Sequence, residues 1–510
     1  MKSKLFLIGL LVCMMAMFAI ASTVSMAQDD SKLPASDLSN PAAAFIFTHD
    51  YAVSKGATAE WRKLEGVASD TVNNKIYFAD TAVAKSMSDD KGDMKLTENK
   101  CGVVWVGDLD ANYDTTALTQ VVVGGPYDES DADYTCNKDA IANPDNMFVD
   151  SKGNLWIGED TDFHHNQMLW MWNGKELKRF ATMPEGAEVT GLRIESDGTI
   201  FLNIQHPLPT NVYPYNRAII GVITGFKAGD DFTAVEVPTG DAMKSLQLAA
   251  GEYQVLARTG EALPANMNNA FVGQIMNAVG DKTLNTCNNP DGNMFLPTTS
   301  KGTEGYLYSN WECVPGGVSK LYIQQGSDGK WTSIEGQNVD FSSVGGTQNN
   351  CNASVTPWNT ALTSEEYPPD DQGEWEGWVG FSKDAMASYL GKDANPLDYG
   401  YIVELTPAGG EEDGIGTKVA KHYSMGRFSK EMTLVMPDSK TAYFGDDGTD
   451  RLLYKYVADN AGDLSAGTLY AAKATSDGEK LNLTWIELGK GNDADIAAQV
   501  EALGATYGKS

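Results

Sequence analysis

Ser151-Lys152-Gly153-Asn154 leads directly into Leu155-Trp156-Ile157-Gly158-Glu159-Asp160-Thr161. Gly and Asn tolerate the left-handed backbone of a tight hairpin, and the aromatic, apolar run behind them has the make-up of a strand. The same succession returns along the chain. Asn73-Asn74-Lys75 precedes Ile76-Tyr77-Phe78-Ala79-Asp80-Thr81, and Ser196-Asp197-Gly198-Thr199 precedes Ile200-Phe201-Leu202-Asn203-Ile204. Thr303-Glu304-Gly305 precedes Tyr306-Leu307-Tyr308-Ser309-Asn310, and Asp438-Ser439-Lys440 precedes Thr441-Ala442-Tyr443-Phe444-Gly445-Asp446-Asp447. Hairpins repeated without strict period, with long insertions between them, predict an all-β fold of the β-propeller kind. A sandwich is the competing arrangement, but 510 residues would make it very long.

Helical periodicity is scarce. Lys383 to Leu390 and Asp493 to Ala505 read as short amphipathic helices. No Pro/Ser-rich linker divides the chain, so residues 45–510 are expected to form a single domain, with 28–44 as a flexible leader. Residues 1–27 have the layout of a secretory signal peptide: Lys2 and Lys4, an apolar run from Leu5, then Ser25-Met26-Ala27 as small residues for cleavage. The expected location is periplasmic or secreted, with no membrane attachment after cleavage.

Lys and Arg number 38 against 69 Asp and Glu, a net charge of −31. A broad basic face for nucleic acid is therefore ruled out. Excess carboxylate suits a soluble exported protein or a binder of hard cations. Cys13 falls in the signal, which leaves Cys101, Cys136, Cys287, Cys313 and Cys351. An oxidising compartment favours pairing. Proximity suggests Cys101 with Cys136 and Cys287 with Cys313, although sequence does not fix connectivity. Cys351 is then the thiol without a mate, held by a metal or by burial.

Carboxylates cluster beside the strands. Glu65 lies in Lys63-Leu64-Glu65-Gly66-Val67, Asp145 in Asn143-Pro144-Asp145-Asn146, Glu188 in Glu188-Val189-Thr190-Gly191, and Glu431 ahead of the Thr441 strand. In a propeller the inner ends of the blades converge, so acids from different blades can meet around one hard cation. An acid bonding its own turn is the plainer explanation of any single one. The five histidines are scattered. Adjacent His164 and His165 would face opposite sides of a strand, and His206 reads as a buttress at the mouth of a site.

The most specific stretch runs from Asn350-Cys351-Asn352-Ala353-Ser354-Val355-Thr356-Pro357-Trp358-Asn359-Thr360 to Glu365-Glu366. It resembles the PhoX family of alkaline phosphatases, with Asn359 and Ser354 where the family commonly has Gly. Gly426-Arg427-Phe428-Ser429-Lys430-Glu431 looks like the family's Gly-Arg-Phe-x-His-Glu, with Lys430 in place of His. Tyr443-Phe444-Gly445-Asp446-Asp447, the Pro144-Asp145-Asn146 block, Glu188-Val189-Thr190-Gly191 and Ile204-Gln205-His206-Pro207 also match. Together these blocks span most of residues 56–475. Their order differs from the family's, as in a circular permutation, which a closed ring of blades tolerates.

The resemblance implies a six-bladed β-propeller whose axis holds Fe3+ and Ca2+. It places the iron-ligand cysteine on Cys351 and its nearby glutamate on Glu366, with further metal carboxylates on Glu431, Glu65, Asp145 and Glu188. The family's phosphate-binding Arg falls on Lys63, with Arg62 adjacent, so a point charge replaces a bidentate fork unless Arg62 takes over. Implied is a monomeric enzyme hydrolysing small phosphorylated substrates. Two other functions remain open at this point. The Leu64 to Thr81 run also resembles gluconolactonase-like propellers, which are calcium-dependent lactone hydrolases, and a non-catalytic calcium-binding propeller would share the same acids.

Overall fold

The computed structural model describes residues 36–265, 270–369, 374–375, 383–408 and 416–505. The signal segment 1–27 and the start of the leader lie outside the described residues. All five expected strands form, as Lys75–Asp80, Leu155–Glu159, Ile200–Gln205, Glu304–Trp311 and Thr441–Arg451. Each is the second strand of an antiparallel run, the first and last of these runs being joined through Lys480–Asn492 into one nine-stranded sheet.

Three of the hairpin turns ahead of them are held by acids of the chain itself. Asp70 Oδ1 accepts from the amides of Val72 and Asn73, each at 2.9 Å. Asp150 Oδ1 accepts from Lys152 and Asn154 at 2.9 and 3.0 Å, and Asp438 Oδ1 from Lys440 and Thr441, each at 2.9 Å. These carboxylates satisfy turn amides that no strand reaches.

The fold is all-β with few helices. The groups, in chain order, are Trp61–Asp70, Lys75–Asp80, Val103–Asp108 and Ala117–Val123; then Pro144–Val149, Leu155–Glu159, Met168–Trp172 and Leu177–Thr182; then Glu188–Ile194, Ile200–Gln205, Ile219–Thr224 and Glu252–Arg258. Next come Pro290–Pro297, Glu304–Trp311, Gly317–Gln325 and Trp331–Asn338; then Asn350–Val355, Ala361–Glu365, Ile402–Pro407 and Thr417–His422; then Lys430–Val435, Thr441–Arg451, Tyr454–Asn460 and Asp463–Asp477. The first strand of each group packs against the first strand of the next, and Lys430–Val435 packs back on Trp61–Asp70. The arrangement is propeller-like.

The core explains this order. The first two strands of each group are largely buried on both faces, and alternate side chains enter different interfaces. Tyr77 joins a cluster with Met147 and Ile157 of the second group, while its neighbours Ile76 and Phe78 join one with Met432 and Tyr443 of the last. Phe201 packs with Phe295 and Leu307, whereas Ile200 and Leu202 pack with Trp156 and Phe180. The apolar runs that mark the second strands are nearly continuous because both of their faces are covered.

Beginning and end of the chain close the ring together. Arg62 pairs with Thr449 and Leu64 with Asp446, and the strand Lys480–Asn492 pairs through Leu481 with Leu118. The two expected helices form, as Lys383–Leu390 and Asp493–Gly504. The leader ends earlier than expected. Ala42, Ala43 and Ala44 are buried, and Phe45 and Ile46 of the short helix Ala43–Ile46 pack in the last group's core, because apolar side chains there find cover beside Leu488 and Ile496. Disulfides join Cys101 to Cys136 and Cys287 to Cys313, and Cys351 is a buried free thiol.

Candidate metal centre

A repeated irregularity in the sheets builds the site. In the first group Leu64 faces Asp80 and Val67 faces Phe78, so the inner strand carries one residue more than its partner. The same bulge lies between Pro144 and Met147, Pro290 and Asn293, Asn350 and Ala353, and Lys430 and Thr433. A bulge re-aims the side chain at its start. The residues so placed are Glu65, Asp145, Asp291, Cys351 and Glu431. The third group differs: Glu188 pairs directly with Gln205, and the irregularity comes later, between Thr190 and Arg193. Close packing of the inner strands needs small residues here. A Cβ on Gly66 would lie 2.0 Å from the Asp145 carbonyl oxygen.

Four of the second strands contribute the residue just past their ends, Asp160, His206, Glu312 and Glu366, and the last contributes Asp447 from within Thr441–Arg451. All these side chains line one cavity of about 250 Å³, together with Lys63, Gln205, Asn289 and Tyr367. Seven of the eight sequence-expected positions are thus brought together: Lys63, Glu65, Asp145, Glu188, Cys351, Glu366 and Glu431. Arg62 is not among them. Successive strand residues face opposite ways, and Arg62 donates to Thr449 Oγ1 at 2.8 Å while lining a neighbouring cleft.

Cys351 sits at the centre of the donors. Its sulfur is 3.0 Å from Asp291 Oδ2 and 3.1 and 3.0 Å from the two Glu431 oxygens. Single donor atoms of Asp291, Cys351 and Glu431 lie within 4.8 Å of one another, as do those of Glu312, Cys351 and Glu366. Asn349 Nδ2 donates to Glu366 at 3.0 Å and to Glu312 at 3.3 Å. Gln205 Nε2 bridges Glu312 at 2.8 Å and Glu188 at 3.2 Å. His206 lies with Nδ1 2.9 Å from the Gly186 carbonyl oxygen and Nε2 3.1 Å from Glu188, the buttressing position expected of it. His164 instead faces Glu159 at 2.9 Å, and His165 faces Glu185, both away from the cavity.

Burial, and then the neighbouring carboxylates, push Asp145, Glu188, Asp291 and Glu366 well above the usual carboxylate range. Burial raises Glu431 to about 7, the Cys351 hydrogen bond and the Lys63 charge holding it lower than burial alone would. Burial and the same acids raise the Cys351 thiol well above its ordinary value. Among the described residues Lys63 is the one ammonium lining the cavity. Burial opposes its charge, but Glu65 at 2.7 Å, Asp447 at 3.8 Å and Asp160 hold it firmly protonated. Thr81 Oγ1 donates to the other Glu65 oxygen at 2.6 Å, and the Tyr367 hydroxyl donates to Asp447.

The donor set fits cations. Asp145 Oδ1 and Asp291 Oδ1 are buried with no hydrogen-bond partner, and uncompensated buried carboxylates are expensive. Many hard oxygens with one thiol suit a ferric ion and Ca2+ and are unlike the thiolate-rich cages of structural zinc.

Sequence reasoning missed Asp291, Glu312, Asp160 and Asp447 as cavity residues. A signal for Asp291 exists: Asn289-Pro290-Asp291-Gly292-Asn293-Met294-Phe295 repeats Asn143-Pro144-Asp145-Asn146-Met147-Phe148 with one insertion. Lys430, standing where the family has His, is fully buried away from the cavity and donates to the Gly400 carbonyl oxygen at 3.0 Å and to that of Gly426.

Carboxylates and a thiol gathered on a buried cavity in a ring of β-sheets are the equipment of metal-dependent hydrolysis. The family model of alkaline phosphatase PhoX matches residues 29–208 and 319–507, in two segments consistent with a permuted order. The chain belongs to the PhoX alkaline phosphatase family, whose members are metal-dependent phosphomonoester hydrolases. No curated protein matches. Among solved structures it is similar to a putative 6-phosphogluconolactonase from Bacteroides fragilis (10 % identity, 83 % of this chain and 86 % of that one, TM-score 0.37). It is also similar to a Lactobacillus plantarum protein (8 % identity, 83 % and 88 % covered, TM-score 0.37) and to the Dos1 propeller (10 %, 85 % and 94 %, TM-score 0.33). These likenesses are too distant to bear on activity.

Proposed function

We propose that this chain is an exported phosphatase that hydrolyses small phosphate monoesters at an iron and calcium cluster on the axis of a single six-bladed β-propeller. Six meanders whose first strands close on themselves support the blade count. The two disulfides and the signal-like start support export. Among the described residues no helix is long and apolar enough to cross a membrane.

The observation that carries the reading is the convergence of Cys351, Asp291, Glu312, Glu366 and Glu431 on one buried cavity. In this reading Cys351, Glu366 and Glu431 hold iron, and Glu65, Asp145, Glu188 and Asp291 hold the calcium ions. When bound, such ions would supply an activated oxygen nucleophile and neutralise charge on the phosphoryl group.

The chain's own residues do the rest. Cys351 gives up its proton on binding a cation, since metal binding requires the thiolate. Lys63 stands at the cavity wall with a quarter of its side chain exposed (26 %), and offers one fixed ammonium to a phosphoryl oxygen. Glu65 and Asp447 keep that ammonium charged and in place. Tyr367 and Thr81 hold those two carboxylates in turn, so the cation is positioned by a chain of hydrogen bonds rather than by a bidentate fork. Asn349 and Gln205 fix Glu366, Glu312 and Glu188 across three groups of strands.

The test is release of p-nitrophenol from its phosphate ester at alkaline pH by protein supplied with iron and calcium. Turnover that a strong chelator abolishes is the expected result. A fully loaded protein that turns over no phosphate monoester would overturn the reading.

A further inference from the structure

Beside the cavity lies a second cleft of about 490 Å³, joined to it through Lys63 and Asp160, which line both. Four cations face it: Arg62, Lys63, Lys85 and Lys100. In a chain of net charge −31 four cations on one cleft stand out; Lys63 is paired with Glu65 and Asp447, and among the described residues the other three lack a close carboxylate. Some surface lysines elsewhere close tightly on carboxylates, as Lys75 does on Asp108 at 2.6 Å and Lys227 on Asp197 at 2.7 Å. Among the described residues, neither Arg62 nor Lys85 has a carboxylate in ion-pair reach; Arg62 bonds a neutral hydroxyl. Lys100 reaches only Glu129, at 3.9 Å, and otherwise lies over the Tyr127 ring.

The cleft is built rigidly. Asn143 Nδ2 donates to the carbonyl oxygens of Thr81 and Lys100 at 2.7 and 3.0 Å, tying one group of strands to the next. The disulfide of Cys101 anchors the residue after Lys100. Lys63 and Lys85 both hold the left-handed conformation, at φ 54° and 57°, which non-glycine residues keep only when their surroundings impose it. Phe163 adds an apolar wall. Glu98, Asp160 and Asp162 also line the cleft; Asp160 is shared with the metal cavity, where it helps to hold Lys63 charged, and the other two are exposed.

We propose that this cleft is the subsite for the leaving group, and that it selects phosphate monoesters whose alcohol part carries a second anionic group. The inference rests on the phosphatase reading and adds a substrate class to it. With the phosphoryl group at Lys63 inside the cavity, the ester oxygen points through the shared opening, and an organic group beyond it lies between Lys85, Lys100 and Arg62. Cations of this kind at a half-exposed site each strengthen an anion's binding by a modest factor, and several together give selectivity.

The experiment compares 4-carboxyphenyl phosphate with its uncharged methyl ester, in metal-loaded wild-type protein and in Lys85→Ala, Lys100→Ala and the double variant. The readout is the ratio of kcat/KM for the two esters, in which differences of leaving-group chemistry cancel between variants. The ratio is expected to fall about fivefold with each single change, the size of one exposed ion pair, further in the double variant, and to shrink in wild type as salt is raised. A ratio unchanged in the double variant, with both esters hydrolysed, overturns the subsite and leaves the phosphatase reading standing. Hydrolysis of neither ester overturns both.

Discussion

The sulfur of Cys351 lies 3.0 and 3.1 Å from the two carboxylate oxygens of Glu431, although 80 residues separate them and they stand on neighbouring groups of strands. Both occupy the first position of a bulge at the start of an inner strand. Burial disfavours the ionised form of both groups, and a cation shared between them would offset that cost.

Replacing Cys351 by Ala is expected to lower bound iron and phosphatase activity together. Metal content of the purified variant checks this, and an unchanged iron content would remove Cys351 from the metal.

Asp291→Asn should lower bound calcium, since Asp291 faces the cavity and has a buried oxygen without a partner. Thermal melting of the metal-free variant should match or exceed that of the metal-free wild type, because one buried acid is gone. A calcium content equal to wild type would count against the role given to Asp291.

The metal-free protein should lose stability as pH rises. Glu431 is raised from 4.5 to about 7, so the folded state binds more protons than the unfolded one in that interval and each added pH unit favours unfolding. The full effect of Glu431 alone is on the order of 3 kcal/mol, present below about pH 4.5 and lost above about pH 7. The other raised carboxylates act in the same direction. Melting curves of chelator-treated protein at pH 5 and pH 8 check the sign, and added iron and calcium should abolish the difference.

Lys63→Ala should cut kcat/KM for phosphate esters by roughly 10², the scale of losing one oriented charge at a transferring phosphoryl group. Lys63→Arg should retain activity, since a guanidinium restores the fork. Equal activity of all three forms would show that no phosphoryl oxygen meets this side chain.

Gly66→Ala should destabilise by about 1–3 kcal/mol or more, because the new methyl would meet the Asp145 carbonyl oxygen at 2.0 Å and force two inner strands apart. Chemical unfolding measures it, and a neutral effect would contradict the close approach of those strands.

Much of the fold was legible in the sequence, for a physical reason. The hairpin between the first and second strands repeats, and its turn chemistry is local, so Asn73-Asn74-Lys75 and Ser151-Lys152-Gly153-Asn154 mark the strands that begin behind them. The site was legible where residues fall in specific blocks, such as Cys351 and Glu366. It was obscure where only position separates two acids of the same kind. Asp150 and Asp145 stand five residues apart beside one strand; Asp150 bonds its own turn amides, and Asp145 faces the cavity because a bulge aims it there. Bulges are properties of paired strands and leave little trace in one chain. Glu312 was hidden for another reason: it stands in no acidic block, directly before the disulfide cysteine Cys313, and reaches the cavity only because the strand Glu304–Trp311 ends there. The burial of Ala42 to Ala44 depends on the C-terminal helix, far away in sequence.

The central quantity is the metal bound per chain. Elemental analysis of protein purified without added chelator is predicted to find both iron and calcium, with iron lost on Cys351→Ala. Protein that carries neither metal, and takes up neither when both are offered, would contradict the metal centre and the activity assigned to it.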